Sequence, residues 1–308
     1  MLAPEAFLTE VYVLIDDLCQ TLPPPPPHPG PAAALAPSEA VTLAFFAQRE
    51  QFPSQAAFYR YARTHLRACF PTLPSRPQFT RHLQHLHDLL VQVALALGTA
   101  VATTDHAFEI LDGTGVVTRN KQRRGVGWLP GEADIGHCTR LGFYEGVRLL
   151  LCCTPTGAIT GFGIGSASTN DRVLADTFFA ARVHPTPALP TVGSPVSDGY
   201  VADMGFGGRQ REQRWHTELG IALICPPQTG SKRAWPKPWR RWLAGIRQVM
   251  GTVTDRVLVP CGVDRLRPHA LRGLQARLAA AIGLCNACVW LNRAHHRPAL
   301  AFADLVDW

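Results

Sequence analysis

Between residues 109 and 225, apolar runs of strand length alternate with helix-length segments, and that order admits few folds. Residues 106–111 form a short apolar run that ends at Asp112-Gly113. Residues 144–154 and 158–164 flank Pro155-Thr156-Gly157, the pattern of a β-hairpin closed by a turn. Asn170-Asp171 can cap a helix over 172–182, a further strand ends near Asp203, and residues 209–219 have amphipathic helical spacing. Residues 221–225 form a last apolar run, broken by Pro226-Pro227. Three strands, a helix, a strand, a helix and a strand predict a mixed α/β sheet.

Such an arrangement is expected to be α/β, a ribonuclease H-like mixed sheet flanked by helices. The two aspartates give it a chemistry. In-line attack on a phosphodiester uses two divalent cations about 3.5–4 Å apart. Magnesium prefers carboxylate oxygens, so acids at strand ends are the usual way to begin such a site. Asp112 taken alone reads better as an ordinary turn residue before glycine. Its strand context, and the second aspartate in Tyr200-Val201-Ala202-Asp203-Met204-Gly205-Phe206, argue for the metal reading.

The remaining segments make the chain resemble the DDE transposases of bacterial insertion sequences. The resemblance rests on Asp112-Gly113-Thr114, Phe143-Tyr144-Glu145-Gly146-Val147-Arg148-Leu149, Gly157-Ala158-Ile159-Thr160-Gly161-Phe162 with Asp171 after it, and Val201-Ala202-Asp203-Met204-Gly205-Phe206. It continues through Trp239-Arg240-Arg241-Trp242-Leu243, Arg247-Gln248, and Arg267-Pro268-His269-Ala270 on to Asn292. It implies that Asp112 and Asp203 are catalytic and metal-binding, with two Mg2+ ions, replaceable by Mn2+, as cofactors. The partners it implies are DNA carrying the terminal inverted repeats of the element and a second copy of the chain during transposition.

The same resemblance places the third acid at Gly251, 91 residues separating Asp112 from Asp203 and 48 separating Asp203 from Gly251. Glycine offers no ligand atom and weakens a helix interior by about 1 kcal/mol relative to alanine. Asp255 lies a full turn farther on, too far for a carboxylate that must reach a metal at about 2 Å. Met204 and Gly207 also depart from the family, which often has lysine and an acid there. The expectation is a transposase with impaired strand cleavage. The alternatives are a catalytically inactive DNA-binding remnant that competes with active copies, and a related nuclease with altered metal use.

Charge agrees with a nucleic-acid partner. Thirty Lys and Arg against 23 Asp and Glu give a net charge of +7, and Lys121, Lys232 and Lys237 are the only lysines. Arginine suits bidentate phosphate binding. The cluster Lys232-Arg233-Ala234-Trp235-Pro236-Lys237-Pro238-Trp239-Arg240-Arg241-Trp242 mixes cations with aromatic rings. It reads either as a phosphate- and base-stacking segment or as a basic helix start whose tryptophans pack inward. The candidate DNA contacts are Lys232, Arg233, Lys237, Arg240 and Arg241, with Arg148 and Arg247 added by the resemblance.

The first 100 residues predict a helical N-terminal domain, with helices near 7–22, 38–48, 54–69 and 79–97 and a proline spacer over 23–31. By resemblance this part recognises DNA ends. Phe58, Tyr59, Arg60, Tyr61, Arg63 and Arg67 offer one candidate face, equally an ordinary amphipathic helix. Residues 101–265 hold the catalytic-type sheet, and 266–308 form a C-terminal helix and tail packed on it. Cys285-Asn286-Ala287-Cys288 has half of a zinc spacing, but it lies in an apolar helix and reads as core. No apolar run is expected to cross a membrane. Nine cysteines without a signal peptide favour a reducing, cytoplasmic location, nucleoid-associated in bacteria by the resemblance.

Overall fold

The computed structural model describes residues 3–27, 32–52, 54–102, 107–118, 129–185, 192–193, 195–227, 234–265 and 268–306. Five helices come first: α1 (Pro4–Thr21), α2 (Pro37–Phe46), α3 (Gln55–His65), α4 (Arg76–His85) and α5 (His87–Val101). Their starts follow from local chemistry. Proline occupies the first turn of α1, α2 and α4, where a missing N–H costs nothing. The Glu39 carboxylate accepts from the Ala36 N–H at 2.7 Å, and Ser54 Oγ accepts from the Ala57 N–H at 3.2 Å. The single helix expected over 79–97 is two, broken at Leu86.

The sheet follows, with β1 (Glu109–Val117), β2 (Asp134–Cys138), β3 (Gly142–Cys153) and β4 (Ile159–Ser166). Next come α6 (Asp171–Val183), β5 (Gly199–Ala202), α7 (Arg209–Leu219), β6 (Ala222–Ile224), α8 (Lys237–Leu258) and α9 (Leu271–Ala294). β1 pairs antiparallel with β3 on one side and parallel with β5 on the other, and β5 pairs parallel with β6. On the far edge of β3, β2 pairs with Gly142–Gly146 and β4 with Val147–Cys153, both antiparallel. The fold is therefore mixed α/β, a mixed sheet with helices against it.

Strand alternation sends side chains into two cores. Ile110, Leu149, Leu151 and Cys153 face a large core shared with α1, α2, α5, α8 and α9. Leu111, Leu150, Cys152, Tyr200 and Ala202 face a smaller one with Phe178 and Phe179 of α6 and Trp215 of α7. The first core runs without a break from the N-terminal helices into the sheet. Asn286 of α9 ties this together: its Nδ2 donates to Ala94 O (2.8 Å) and Ile159 O (2.9 Å), and its Oδ1 accepts from the Ile159 N–H (2.8 Å). Helix α9 is, among the described residues, the one helix long and apolar enough to cross a membrane, yet 78% of that apolar stretch is buried in the protein. It is a core helix here, and Cys285 and Cys288 are core thiols whose pKa values are raised by burial.

Candidate active site where strands β1 and β5 part

The strand carrying Asp112 does not end there. β1 continues through Asp112-Gly113 to Val117, so the Asp-Gly pair makes no turn. Tertiary packing overrides the local signal. A Cβ at Gly113 would strike the Asp171 carboxylate, and one at Gly115 would strike the Tyr144 ring, so glycine lets both neighbours lie flat on the strand. What does end at this point is the parallel pairing, whose last rung is Leu111 with Ala202. Asp112 is the next residue of β1, and Asp203 is the first residue past the end of β5.

Asp112 feels the charge of its neighbour. The Asp112 pKa is pushed up to about 6, first by burial and then by the negative charge of Asp203. The Gly113 N–H and the charge of Arg247 act in the opposite direction, and Asp171 adds a small further rise. Asp203 Oδ1 accepts from the Gly205 N–H at 2.7 Å, which orients its carboxylate at the start of the following turn. That turn is held in place by Arg172 Nε, which donates to Gly205 O at 2.7 Å, and by buried Phe206.

Helix α8 supplies the third side. Its Met250 is buried against Cys153 at 4.0 Å between sulfurs, and Cys153 pairs with Ile110 two residues before Asp112. Arg247, one turn back, acts electrostatically on Asp112. Gly251 lies one turn beyond Arg247 on the same face. It is exposed, and a Cβ there would meet nothing within 4 Å. Asp255 is exposed farther along the helix.

The cationic residues divide. Arg148 is taken up by Asp171, Nε to Oδ1 at 2.6 Å with a second hydrogen bond from NH2 to Oδ2, and the pair is largely buried. Strand alternation puts Arg148, like Leu150 and Cys152, on the α6 side, opposite the face on which Asp112 and Arg247 lie. Lys237, Arg240, Arg241 and Arg247 are exposed on α8. Lys232 and Arg233 lie outside the described residues.

The tryptophans beside them are not core residues. Trp239 and Trp242 keep 55% and 39% of their surface exposed. They form a ladder with Trp235 and Phe108: ring centroids are 5.8 Å apart for Trp235–Trp239, 6.4 Å for Trp239–Trp242 and 5.6 Å for Phe108–Trp242. Phe108 precedes Glu109 at the start of β1, so the ladder runs from the helix start to the strand that bears Asp112.

No protein-family model, curated protein or solved structure matches this chain. The site stands on its own geometry. Asp112 and Asp203 can share one hard divalent cation, because the Asp112 carboxyl, its pKa raised by burial and by the charge of Asp203, is short of positive charge. Among the described residues no group of three or more His, Cys, Asp or Glu side chains surrounds a common point. The residues present therefore suit one ion held by two acids and leave the α8 side without a protein ligand.

Sequence reasoning missed the charge pair beneath the site. Glu109 and Arg182 are fully buried, bonded Nη1 to Oε2 at 2.9 Å and Nη2 to Oε1 at 3.2 Å. Arg182 also donates to Tyr200 Oη (3.1 Å), Thr160 O (3.2 Å) and Gly193 O (3.2 Å), while Thr160 Oγ1 donates to Glu109. This knot joins β1, β4, β5 and α6 three residues from Asp112. Its only sequence signal was a charged residue opening an apolar strand.

Proposed function

We propose that this chain is a transposase-like DNA-binding protein with a ribonuclease H-like sheet, whose strand-cleaving site is disarmed at Gly251. One observation carries the reading. The last rung of the β1–β5 pairing sets Asp112 beside Asp203, and the helix that supplies Arg247 presents Gly251, with open space above it, where a third acid is required. Four antiparallel strands followed by two parallel ones, with α8 packed against β1, support the fold assignment.

In this reading Asp112 and Asp203 hold Mg2+, which would supply a Lewis acid for phosphodiester hydrolysis and strand transfer. Asp112 must lose its proton to do so, and Arg247 favours that loss. Lys237, Arg240 and Arg241 bind backbone phosphates, and the exposed tryptophans stack an unpaired base near a DNA end. Without a third carboxylate the ion is held weakly, and DNA binding remains as the principal activity. Pairing of two ends calls for a second copy of the chain.

The test is Mg2+- and Mn2+-dependent cleavage of DNA carrying the inverted repeats that flank the gene, comparing the chain with Gly251→Glu and with Gly251→Glu/Asp112→Ala. Cleavage that appears with Gly251→Glu and disappears in the double variant supports the proposal. Cleavage by the unaltered chain, abolished by Asp112→Ala, overturns the disarmed site. Failure of every variant to bind or cut DNA overturns the transposase reading.

A further inference from the structure

Away from the carboxylates, a cavity of about 570 Å³ lies between the N-terminal helices and the segment joining α8 to α9. That volume is in the range of small-molecule sites. Phe58, Phe79, Leu83 and Leu90 contribute apolar walls, and Arg277 of α9 lines the same space. Among the described residues no acid pairs with Arg277, and its Nε has no hydrogen-bond partner. Burial works against its charge, the nearest ionisable influence being the Cys261 thiol. Arg277 as a whole is partly exposed, but its Nε is closed off from solvent; a guanidinium does not escape by deprotonating, so one facing a cavity without a counter-ion is an unfilled electrostatic demand. On α2, Gln48 spends its Nε2 on Ala44 O at 3.1 Å and leaves its Oε1, also buried, without a partner. Gln51, at the rim, has a positive φ of 47°, a conformation uncommon for a side-chain-bearing residue and frequent at ligand clamps.

We infer that this cavity binds a small organic carboxylate with an apolar body, its carboxylate held by the Arg277 guanidinium. A carboxylate matches the planar fork with two parallel hydrogen bonds and cancels its charge. Apolar walls favour a hydrocarbon or aromatic remainder, and a monoanion leaves no surplus charge against them. The occupant joins α2 and α4 to α9 and to the turn after α8. The inference is independent of the DNA-binding proposal.

The test is calorimetry and thermal unfolding of the full chain with hexanoate, benzoate and inorganic phosphate, against matched sodium chloride. A saturable rise in Tm with hexanoate or benzoate, absent with phosphate and chloride, is expected. Arg277→Met should fold with an unchanged or higher Tm in the absence of acid and bind the carboxylates ~10–100-fold more weakly, the worth of a charge-assisted hydrogen-bond pair. Arg277→Lys should lose less. Absence of carboxylate binding, undiminished binding by Arg277→Met, or a preference for phosphate overturns the proposal. So does marked destabilisation or unfolding of Arg277→Met, which reveals a counter-charge within the fold.

Discussion

Asp112 and Asp203 stand side by side where β1 and β5 cease to pair, one residue beyond the Leu111–Ala202 rung, and burial together with the charge of Asp203 makes the Asp112 charge harder to hold. The folded protein keeps the Asp112 proton up to about pH 6, against 3.8 for the ordinary carboxyl. A pKa raised on folding means that the native state binds the proton more tightly than the unfolded chain. Stability is therefore unaffected below pH 4 and is lost as pH rises from about 4 to about 6. Asp112→Asn should leave stability unchanged near pH 4 and raise it above pH 6, by up to ~3 kcal/mol given the rise from 3.8 to about 6. Urea unfolding at one-unit intervals from pH 4 to 8 measures the difference, and a gap that does not widen with pH would contradict the geometry.

Two helix glycines should respond oppositely to alanine. At Gly251 a Cβ meets open space, so Gly251→Ala should stabilise by about 1 kcal/mol through helix propensity alone. At Gly283, in the middle of α9, a Cβ would enter the Phe45 ring, so Gly283→Ala should cost about 1–3 kcal/mol. Thermal unfolding of both variants settles the signs.

The Glu109–Arg182 pair is fully buried, and each partner neutralises a charge that has no access to water. Glu109→Gln should destabilise by ~3–5 kcal/mol because it strands the guanidinium. Combining it with Arg182→Met should recover much of that loss, since the stranded charge is then gone. A double variant no more stable than Glu109→Gln would show that the surrounding bonds, rather than the charge, carry the effect.

Trp239→Ala removes a ring that is more than half exposed and should change folding stability by roughly 0.5 kcal/mol or less, while Trp242→Ala, whose ring is 39% exposed and packs against Phe108, should cost about 1 kcal/mol. Under the DNA-binding proposal each should weaken single-stranded oligonucleotide binding by about 1–3 kcal/mol. Arg240→Gln/Arg241→Gln should lower the slope of log affinity against log salt on duplex DNA by about 2. Fluorescence anisotropy over a salt series reads both effects, and unchanged binding in all variants would remove α8 from the DNA surface.

The sequence by itself determined most of the elements and their order. Apolar periodicity located β3, β4 and α6 to within a few residues of the expected bounds, and Asn170 caps α6 by accepting from the Arg172 N–H at 3.0 Å. It also brought Asp112 and Asp203 to notice, because each follows an apolar run. These features are local: caps, turn residues and side-chain period act within a few residues of where they are written. Only the tertiary structure decided that β1 runs on past Asp-Gly, since the reason is the later approach of Asp171 and Tyr144. The same holds for β2, a short half-exposed strand fixed by pairing with β3, and for Arg148, whose partner lies 23 residues away. The buried Glu109–Arg182 knot and the Arg277 cavity were equally hidden, because whether a charge is paired depends on contacts between elements far apart in the chain, to which hydrophobic spacing is blind.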